Sequence, residues 1–185
     1  MDNSTSWLSF GKVRLRALEL DDVQALYKLE NDSSALIYGC NTQPVSVSAL
    51  TDYVLSAGTD VYKVSQLRLA ICVDGDDEPV GMIDLYDFDH RNSRAWVGVI
   101  VREDMRQKGI ASDALSALCN YSFGFLHLHT LLCYVPVSNL ASFNLFCSAG
   151  FTNGGVLVDY IRTSDGYEDV HILQKFGPDV VDASK

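Results

Sequence analysis

Alternating apolar and polar positions divide much of the chain into short strands. Residues 13–18 read Val-Arg-Leu-Arg-Ala-Leu, a period of two that is typical of a strand with one buried face. Later stretches are apolar and rich in β-branched or aromatic residues, and turn-forming sequences such as Asp-Gly-Asp-Asp at 74–77 separate them. The pattern predicts strands at residues 13–18, 67–73, 80–87, 94–101, 130–135, 155–162 and 167–176.

Apolar residues at every third or fourth position indicate helices in other segments. Asp21 and Asp22 open one of them, where acidic side chains suit the positive end of a helix dipole. A second begins after Ser46 or Ser48 and carries Leu50 and Val54 on its apolar face. The predicted helices are residues 21–30, a segment that begins after Ser46 or Ser48 and includes Val54, residues 111–125 and residues 139–149.

The resulting order, β-α-α-β-β-β-α-β-α-β-β, predicts a mixed α/β domain with about four helices. A chain of 185 residues can bury a single core without disulfides or metals. We expect that domain over residues 1–176, followed by a polar tail over residues 177–185.

Composition narrows the function classes. With 24 acidic and 14 basic residues the formal charge is −10, which argues against a nucleic acid partner. No apolar run reaches the roughly 18 residues that a membrane span needs, and the N-terminus lacks a signal-peptide pattern. Five widely spaced cysteines without a CxxC pair favour a reducing cytoplasm, and the four histidines show no metal-ligand spacing. We therefore expect a cytoplasmic protein with no membrane contact and no metal.

The segment Arg-Gln-Lys-Gly-Ile-Ala at residues 106–111 joins a strand to a helix N-terminus. Free backbone N–H groups and the helix dipole make such a terminus an anion site, and a glycine lets an anion approach closely. The segment matches neither a Walker loop nor a GxGxxG fingerprint, and an ordinary solvated helix start is the alternative. The residues expected to hold a phosphate or pyrophosphate are Arg106, Gln107, Lys108, Gly109, Ile110, Ala111 and Ser112.

The same segment resembles the [R/Q]-x-x-G-x-[G/A] signature of the GCN5-related N-acetyltransferase (GNAT) family. "NLASFNLFCSAGF", residues 139–151, is similar to the family's next segment, in which Asn139 opens a helix near the cofactor. "SFGFLHLHTLLCYV" and "GYEDVHIL" resemble the branch of ribosomal-protein and spermidine N-acetyltransferases. The resemblance covers roughly residues 12–176 and implies a mixed, mostly antiparallel sheet with acetyl-CoA as cosubstrate.

Membership of that family implies direct acetyl transfer to a primary amine, carried by a polyamine-like small molecule or a protein N-terminus. It also implies that Val99, Ile100 and Val101 diverge from the strand at 130–135, so that their free backbone groups bind the pantetheine arm. We expect a homodimer or a higher homo-oligomer.

The chain departs from the family at two positions. Phe146 stands where many relatives have the tyrosine that protonates the thiolate, and Trp96 where many have a glutamate. One alternative is therefore a CoA-binding module with little turnover. A second alternative is an enzyme that binds a nucleotide phosphate at the same helix N-terminus. The resemblance offers Ser142 as general acid, with helix capping as its other interpretation, and Asp84 as general base. Asp159 is a second acid in a similar setting, and structural roles stay open for both acids.

Acceptor-binding residues are expected after the first helix and on the central strands. The spermidine branch has an acidic stretch after that helix, whereas "YGCNTQPVSV" at residues 38–47 has no acid, which weakens polyamine as the acceptor. Trp96 would make the acceptor site more apolar. The candidate acceptor-binding residues are Glu30, Tyr38, Trp96 and Tyr134.

Overall fold

A computed structural model describes residues 7–32, 43–57, 61–73 and 75–178. Its eight strands form one sheet in the order β1-β2-β3-β4-β5-β6-β8-β7. Neighbouring strands run antiparallel except β5 and β6, which run parallel. The strands are β1 (Ser9–Phe10), β2 (Val13–Ala17), β3 (Gln66–Val73), β4 (Gly81–Asp89), β5 (Arg94–Val101), β6 (Thr130–Pro136), β7 (Thr152–Thr163) and β8 (Gly166–Phe176).

Helices cover both faces of this sheet, and side-chain caps fix two of their starts. The Ser46 hydroxyl accepts the N–H of Ala49, and the Asn139 side chain accepts the N–H of Ser142. The helices are α1 (Val23–Glu30), α2 (Val47–Ser56), the single turn α3 (Val61–Val64), α4 (Ile110–Gly124) and α5 (Leu140–Ser148), with 3-10 turns at Leu20–Asp22 and Glu103–Met105.

Two apolar clusters lie on opposite faces of the sheet, because successive strand residues point in opposite directions. On β4, Ile83 and Leu85 pack with α4 and α5, whereas Met82 packs with α1 and α2. We call these two faces the α4 face and the α1 face. The α1 cluster draws its buried sheet residues from Ala70, Cys72 and Met82, so α1 and α2 cover the part of this face near β3 and β4.

The predicted order of long elements is confirmed, and the structure adds two short ones. The strand predicted at 94–101 has the predicted bounds, and most other bounds differ by one to three residues. The two residues of β1 and the four of α3 are too short to give a periodic signal. β7 starts at Thr152 and not at 155, so Gly154 and Gly155 both lie inside the strand. Of the expected tail, residues 179–185 lie outside the described residues.

Candidate active site

The parallel strands β5 and β6 separate into a wedge. They pair at three positions, from Arg94–Thr130 to Trp96–Leu132. Beyond Trp96, β5 continues to Val101 in pairing with β4, and β6 continues to Pro136 in pairing with β8. Since a ladder with β4 uses the backbone groups of alternate residues, the remaining groups of residues 97–101 face the gap. The divergence expected for Val99, Ile100 and Val101 is confirmed, and an amide-rich arm can pair there.

The start of α4 stands at the wide mouth of this wedge. Gly109 is its N-cap residue, with a φ of 79°, in the left-handed region that favours glycine. A Cβ atom built on Gly109 would find no atom within 4 Å, so the space before the helix is open. Gly109 has no side chain to cap the helix, so the N–H groups of Ile110, Ala111 and Ser112 can donate to an anion.

The cations of this loop contact the segment that precedes it. Arg106 Nε donates to the carbonyl of Val101 at 2.9 Å, and Lys108 Nζ lies 3.5 Å from Met105 Sδ. Gln107 has a φ of 59°, which turns the chain into the helix. A third cation, which no motif of the sequence indicates, is Lys12, whose Nζ donates to the carbonyl of Lys108. The two residues are 96 positions apart, so only the fold could reveal this third cation.

A cleft of about 740 Å³ lies between α1 and the segment that follows β5. Its wall includes Ile100 and Arg106, so it adjoins both the wedge and the cofactor loop. Charges of both signs line it: its cations are Lys28, Arg102 and Arg106, and its acids are Asp21, Asp32, Glu78, Glu103 and Asp104.

Asp84 is not the isolated acid that the sequence suggested. Its Oδ1 accepts from Arg68 Nε at 2.5 Å and its Oδ2 from Arg68 Nη2 at 3.2 Å. Arg68 Nη1 donates in turn to Glu30 Oε1 at 2.6 Å, so Glu30 is also committed to this ion-paired cluster. Arg68 stands opposite Asp84 in the β3–β4 register, which explains why two residues 16 positions apart meet.

Burial and charge act in opposite directions on the Asp84 carboxyl. Burial raises its pKa above the usual value, while the Arg68 guanidinium and its hydrogen bonds lower it. Burial also raises the pKa of Tyr53, over whose ring the Arg68 guanidinium lies 5.6 Å from the centroid. Asp84 faces Gly98 across the strand pair, and a Cβ at Gly98 would lie 3.8 Å from Asp84 Oδ2. The carboxylate therefore lies on the α1 face next to the wedge.

Aromatic rings occupy the vertex of the wedge. Trp96 and Tyr134 stack with centroids 3.9 Å apart and planes 13° apart. Tyr160 of β7 stacks on Tyr134 at 5.5 Å and 29°. Trp96 and Tyr134 were both predicted to bind the acceptor, and the structure brings their rings together. Tyr160 was not predicted, because it is distant from both in the sequence.

The α5 residues behave differently from one another. Asn139 Oδ1 accepts the backbone N–H of Ser142 at 3.1 Å, so Asn139 is the cap and the Ser142 hydroxyl is not. Phe146 is 4% exposed and packs edge-on against Phe151 at 5.1 Å, so this position points into the core.

Asp159 of β7 is exposed, and its N–H donates to Asp169 Oδ1 at 2.9 Å. Tyr38 lies outside the described residues.

Neither a metal-binding cluster nor a membrane-spanning helix is found in the described residues. Among them, no three His, Cys, Asp or Glu side chains come together as a group that could hold a metal ion. Likewise, none of the helices in residues 7–32, 43–57, 61–73 and 75–178 is long and apolar enough to cross a membrane.

Known proteins resemble this chain over most of its length. The uncharacterized N-acetyltransferase p20 of Bacillus licheniformis is 28% identical over 88% of this chain and 91% of its own. The spermidine N(1)-acetyltransferase of Vibrio cholerae is 25% identical, over 88% of this chain and 94% of its own. The crystal structure of a spermidine N-acetyltransferase from Vibrio cholerae, in complex with CoA and spermine, superposes with a TM-score of 0.81 at 22% identity. The match covers 89% of this chain and 95% of that chain, and it establishes the fold.

The family itself follows from a sequence model. The model of the acetyltransferase (GNAT) domain matches residues 12–152, which include the wedge, the cofactor loop and the capped start of α5. The chain therefore belongs to the GNAT acetyltransferase family and is an acyltransferase with acetyl-CoA as its cosubstrate.

Proposed function

We propose that this acetyltransferase transfers the acetyl group to a primary amine of a polyamine-like small molecule. The observation that carries the proposal is the wedge, because it joins an anion-binding helix start at its mouth to a carboxylate and aromatic rings near its vertex. A thioester laid along the wedge from the loop would present its carbonyl near those groups. Spermidine N(1)-acetyltransferases of two species match 88% and 79% of this chain, which supports a polyamine-like acceptor.

The cosubstrate site that we propose uses backbone groups more than side chains. The N–H groups at residues 110–112 take the pyrophosphate, with Arg106, Lys108 and Lys12 adding positive charge around them. Backbone groups of residues 97–101 pair with the pantetheine amides. Asn139 contributes by fixing the start of α5 beside the gap.

Transfer requires the amine to lose one proton, because an alkylammonium has no lone pair and its pKa lies near 10. The nitrogen then forms a bond to the acetyl carbon and gives up a second proton, the C–S bond breaks, and the thiolate takes up a proton. We assign attraction of the ammonium, and removal of its proton through water, to Asp84. Ser142, partly buried in the first turn of α5, is the proposed proton donor to the thiolate.

The protein is also proposed to act as a homo-oligomer in the cytoplasm. A structural neighbour from Vibrio cholerae is described as dodecameric, and it covers 94% of this chain at a TM-score of 0.77. The proposal of a cytoplasmic location rests on the cysteine pattern of the sequence. Sedimentation of the purified protein would measure the oligomeric state.

Thiol release from acetyl-CoA with an amine panel tests the acceptor. The panel contains spermidine, spermine, diamines, an aminoglycoside, free amino acids and a peptide with a free N-terminus, and mass spectrometry identifies each product. We expect kcat/KM for a polyamine to exceed that for every other class. A peptide as the best acceptor would contradict the proposal, and thiol release with none of them would favour a CoA-binding module.

A further inference from the structure

A bulge in edge strand β7 moves a tyrosine over the neighbouring strand. The β7–β8 register shifts once between Asn153 and Gly155 and a second time after Leu157–Val170. It resumes at Ile161–Glu168, which leaves residues 158–160 out of the ladder. Asp159 has a φ of 53° at this point, and its N–H donates to Asp169 Oδ1. Bulges of this kind redirect side chains, and the Asp169 carboxylate holds this one in place.

Tyr160 reaches the ring of Tyr134 across one intervening strand. In the sheet order, β8 lies between β7 and β6, so two strand spacings of about 4.8 Å separate the backbones that carry these two residues. The ring centroids are 5.5 Å apart and the ring planes differ by 29°. Tyr134 in turn stacks on Trp96 of β5. One continuous strip of three rings, which we call the aromatic strip, thus runs from the wedge vertex towards the sheet edge.

The aromatic strip lies on the α1 face, beyond the part that α1 and α2 cover. Trp96 pairs with Tyr86 and stands two residues from Gly98, which faces Asp84, so Trp96 shares the face of Asp84. The opposite sides of β5 and β6 are buried against α4 and α5. Tyr160 is 51% exposed although it is stacked, which is unusual for a ring whose role is only to fill a core.

Negative charge accompanies this apolar surface. Asp159 is exposed at the tip of the bulge, next to Tyr160 in the chain. The charge of Asp87 acts on Tyr134, whose pKa is raised first by burial and then by its hydrogen bond with Tyr160 and by Asp87. Asp84 lies at the vertex end. An apolar strip with carboxylates near both ends suits a hydrocarbon chain that carries ammonium groups.

We propose that Trp96, Tyr134 and Tyr160 form the surface on which the hydrocarbon chain of the acceptor lies while its terminal amine reaches the thioester. The inference rests on the proposed function and deepens it. It assigns Tyr160 to acceptor specificity, and Asp169 becomes a positioning residue that acts through the bulge. Acceptors with a longer unbranched chain should therefore bind better, by about threefold to fourfold for each methylene that the rings shield from water.

The test measures kcat and KM for n-alkylamines from ethylamine to hexylamine. We expect KM to fall with chain length in the natural protein and in Tyr160→Phe, which keeps the ring. In Tyr160→Ala, KM should no longer fall much with chain length, whereas kcat should stay close to that of the natural protein. Tyr167→Ala is the matched control, since Tyr167 is an exposed ring of the same hairpin, 64% exposed. It should behave as the natural protein does.

Asp169 adds a rescue experiment. Asp169→Asn keeps an oxygen that can accept the Asp159 N–H and should retain the chain-length dependence, whereas Asp169→Ala should lose it as Tyr160→Ala does. Equal dependence in the natural protein, Tyr160→Ala and Asp169→Ala would overturn the inference, and a fall in thermal stability alone would assign Tyr160 to structure.

A binding readout separates this inference from the proposed function. In a Trp7→Phe background Trp96 is the only tryptophan, so its fluorescence reports ligands on the aromatic strip. CoA-loaded protein is titrated with the same alkylamines. If no amine is acetylated but affinity still rises with chain length and falls in Tyr160→Ala, the proposed function fails and the inference stands. If spermidine is acetylated but neither KM nor fluorescence depends on chain length, the inference fails alone.

Discussion

Gly109→Ala tests whether the cosubstrate phosphates approach the backbone at the start of α4. The Cβ of the variant would enter space that is open in the protein itself, with no atom within 4 Å. Its effect on stability therefore comes only from the left-handed φ of 79°, at about 1 kcal/mol. That corresponds to a fall of about 2–4 °C in Tm for a chain of this size.

The effect on acetyl-CoA should be larger, because the open space is where the anion must lie. A methyl group there pushes the phosphate away from the N–H groups of α4 and weakens several charge-assisted hydrogen bonds together. We expect at least a tenfold rise in Kd, which is about 1.4 kcal/mol. Isothermal titration calorimetry with acetyl-CoA measures this quantity directly.

Gly75→Ala is the matched control for this variant. Gly75 has a φ of 84° and also has no atom within 4 Å of a built Cβ, but it lies in the turn between β3 and β4. The two variants should lose similar stability, and only Gly109→Ala should lose affinity. A folded Gly109→Ala protein with unchanged Kd would refute the reasoning, and so would an equal loss of affinity in both variants.

Three further variants test the other groups of the site. Asp84→Asn should lower kcat/KM for amines ~100-fold and remove the acidic limb of the rate profile. It should also destabilise the fold by about 3 kcal/mol because it breaks a buried ion pair, and Asp89→Asn, in an exposed pair with Arg94, is the control for Tm. If Asp84→Asn keeps wild-type kcat/KM across pH 6 to 9, the role of Asp84 is structural. Ser142→Ala should lower kcat and kcat/KM together with unchanged acetyl-CoA affinity, and an unaltered kcat would count against a general acid. Asn139→Ala should cost about 1 kcal/mol of unfolding free energy, whereas Asn139→Ser should restore most of it in chemical denaturation; equal losses would argue against capping.

The sequence was most informative where the relevant contacts are local. The cap at Asn139, three residues before the N–H it accepts, and the left-handed turn at Gly109 both follow from neighbouring residue types. The Asp84–Arg68 pair could not be foreseen, because it depends on the register between β3 and β4. The position of Tyr160 was equally hidden, since a bulge leaves little trace in an alternating pattern.

The two departures from the family pattern have different structural consequences. Phe146 is buried against Phe151, so the α5 position that carries a hydroxyl in many relatives serves the core here. Trp96 places a ring at the vertex, on the strand where many relatives carry a carboxylate. Asp84 of the adjacent strand lies on the same face of the sheet. The side-chain-free Gly98 opposite Asp84 leaves that carboxylate room.

The surroundings of Asp84 determine how it could act in the proposed role. Burial raises the pKa of its carboxyl above the usual value, although Arg68 acts in the opposite direction, so it is a stronger base than a free aspartate. Glu30 is a second carboxylate on the same guanidinium. Low dielectric near the buried cluster extends the effect of its carboxylates on an approaching ammonium. In the proposed mechanism Asp84 both attracts the cationic acceptor and removes its proton through water, and the pH profile of Asp84→Asn distinguishes these two roles.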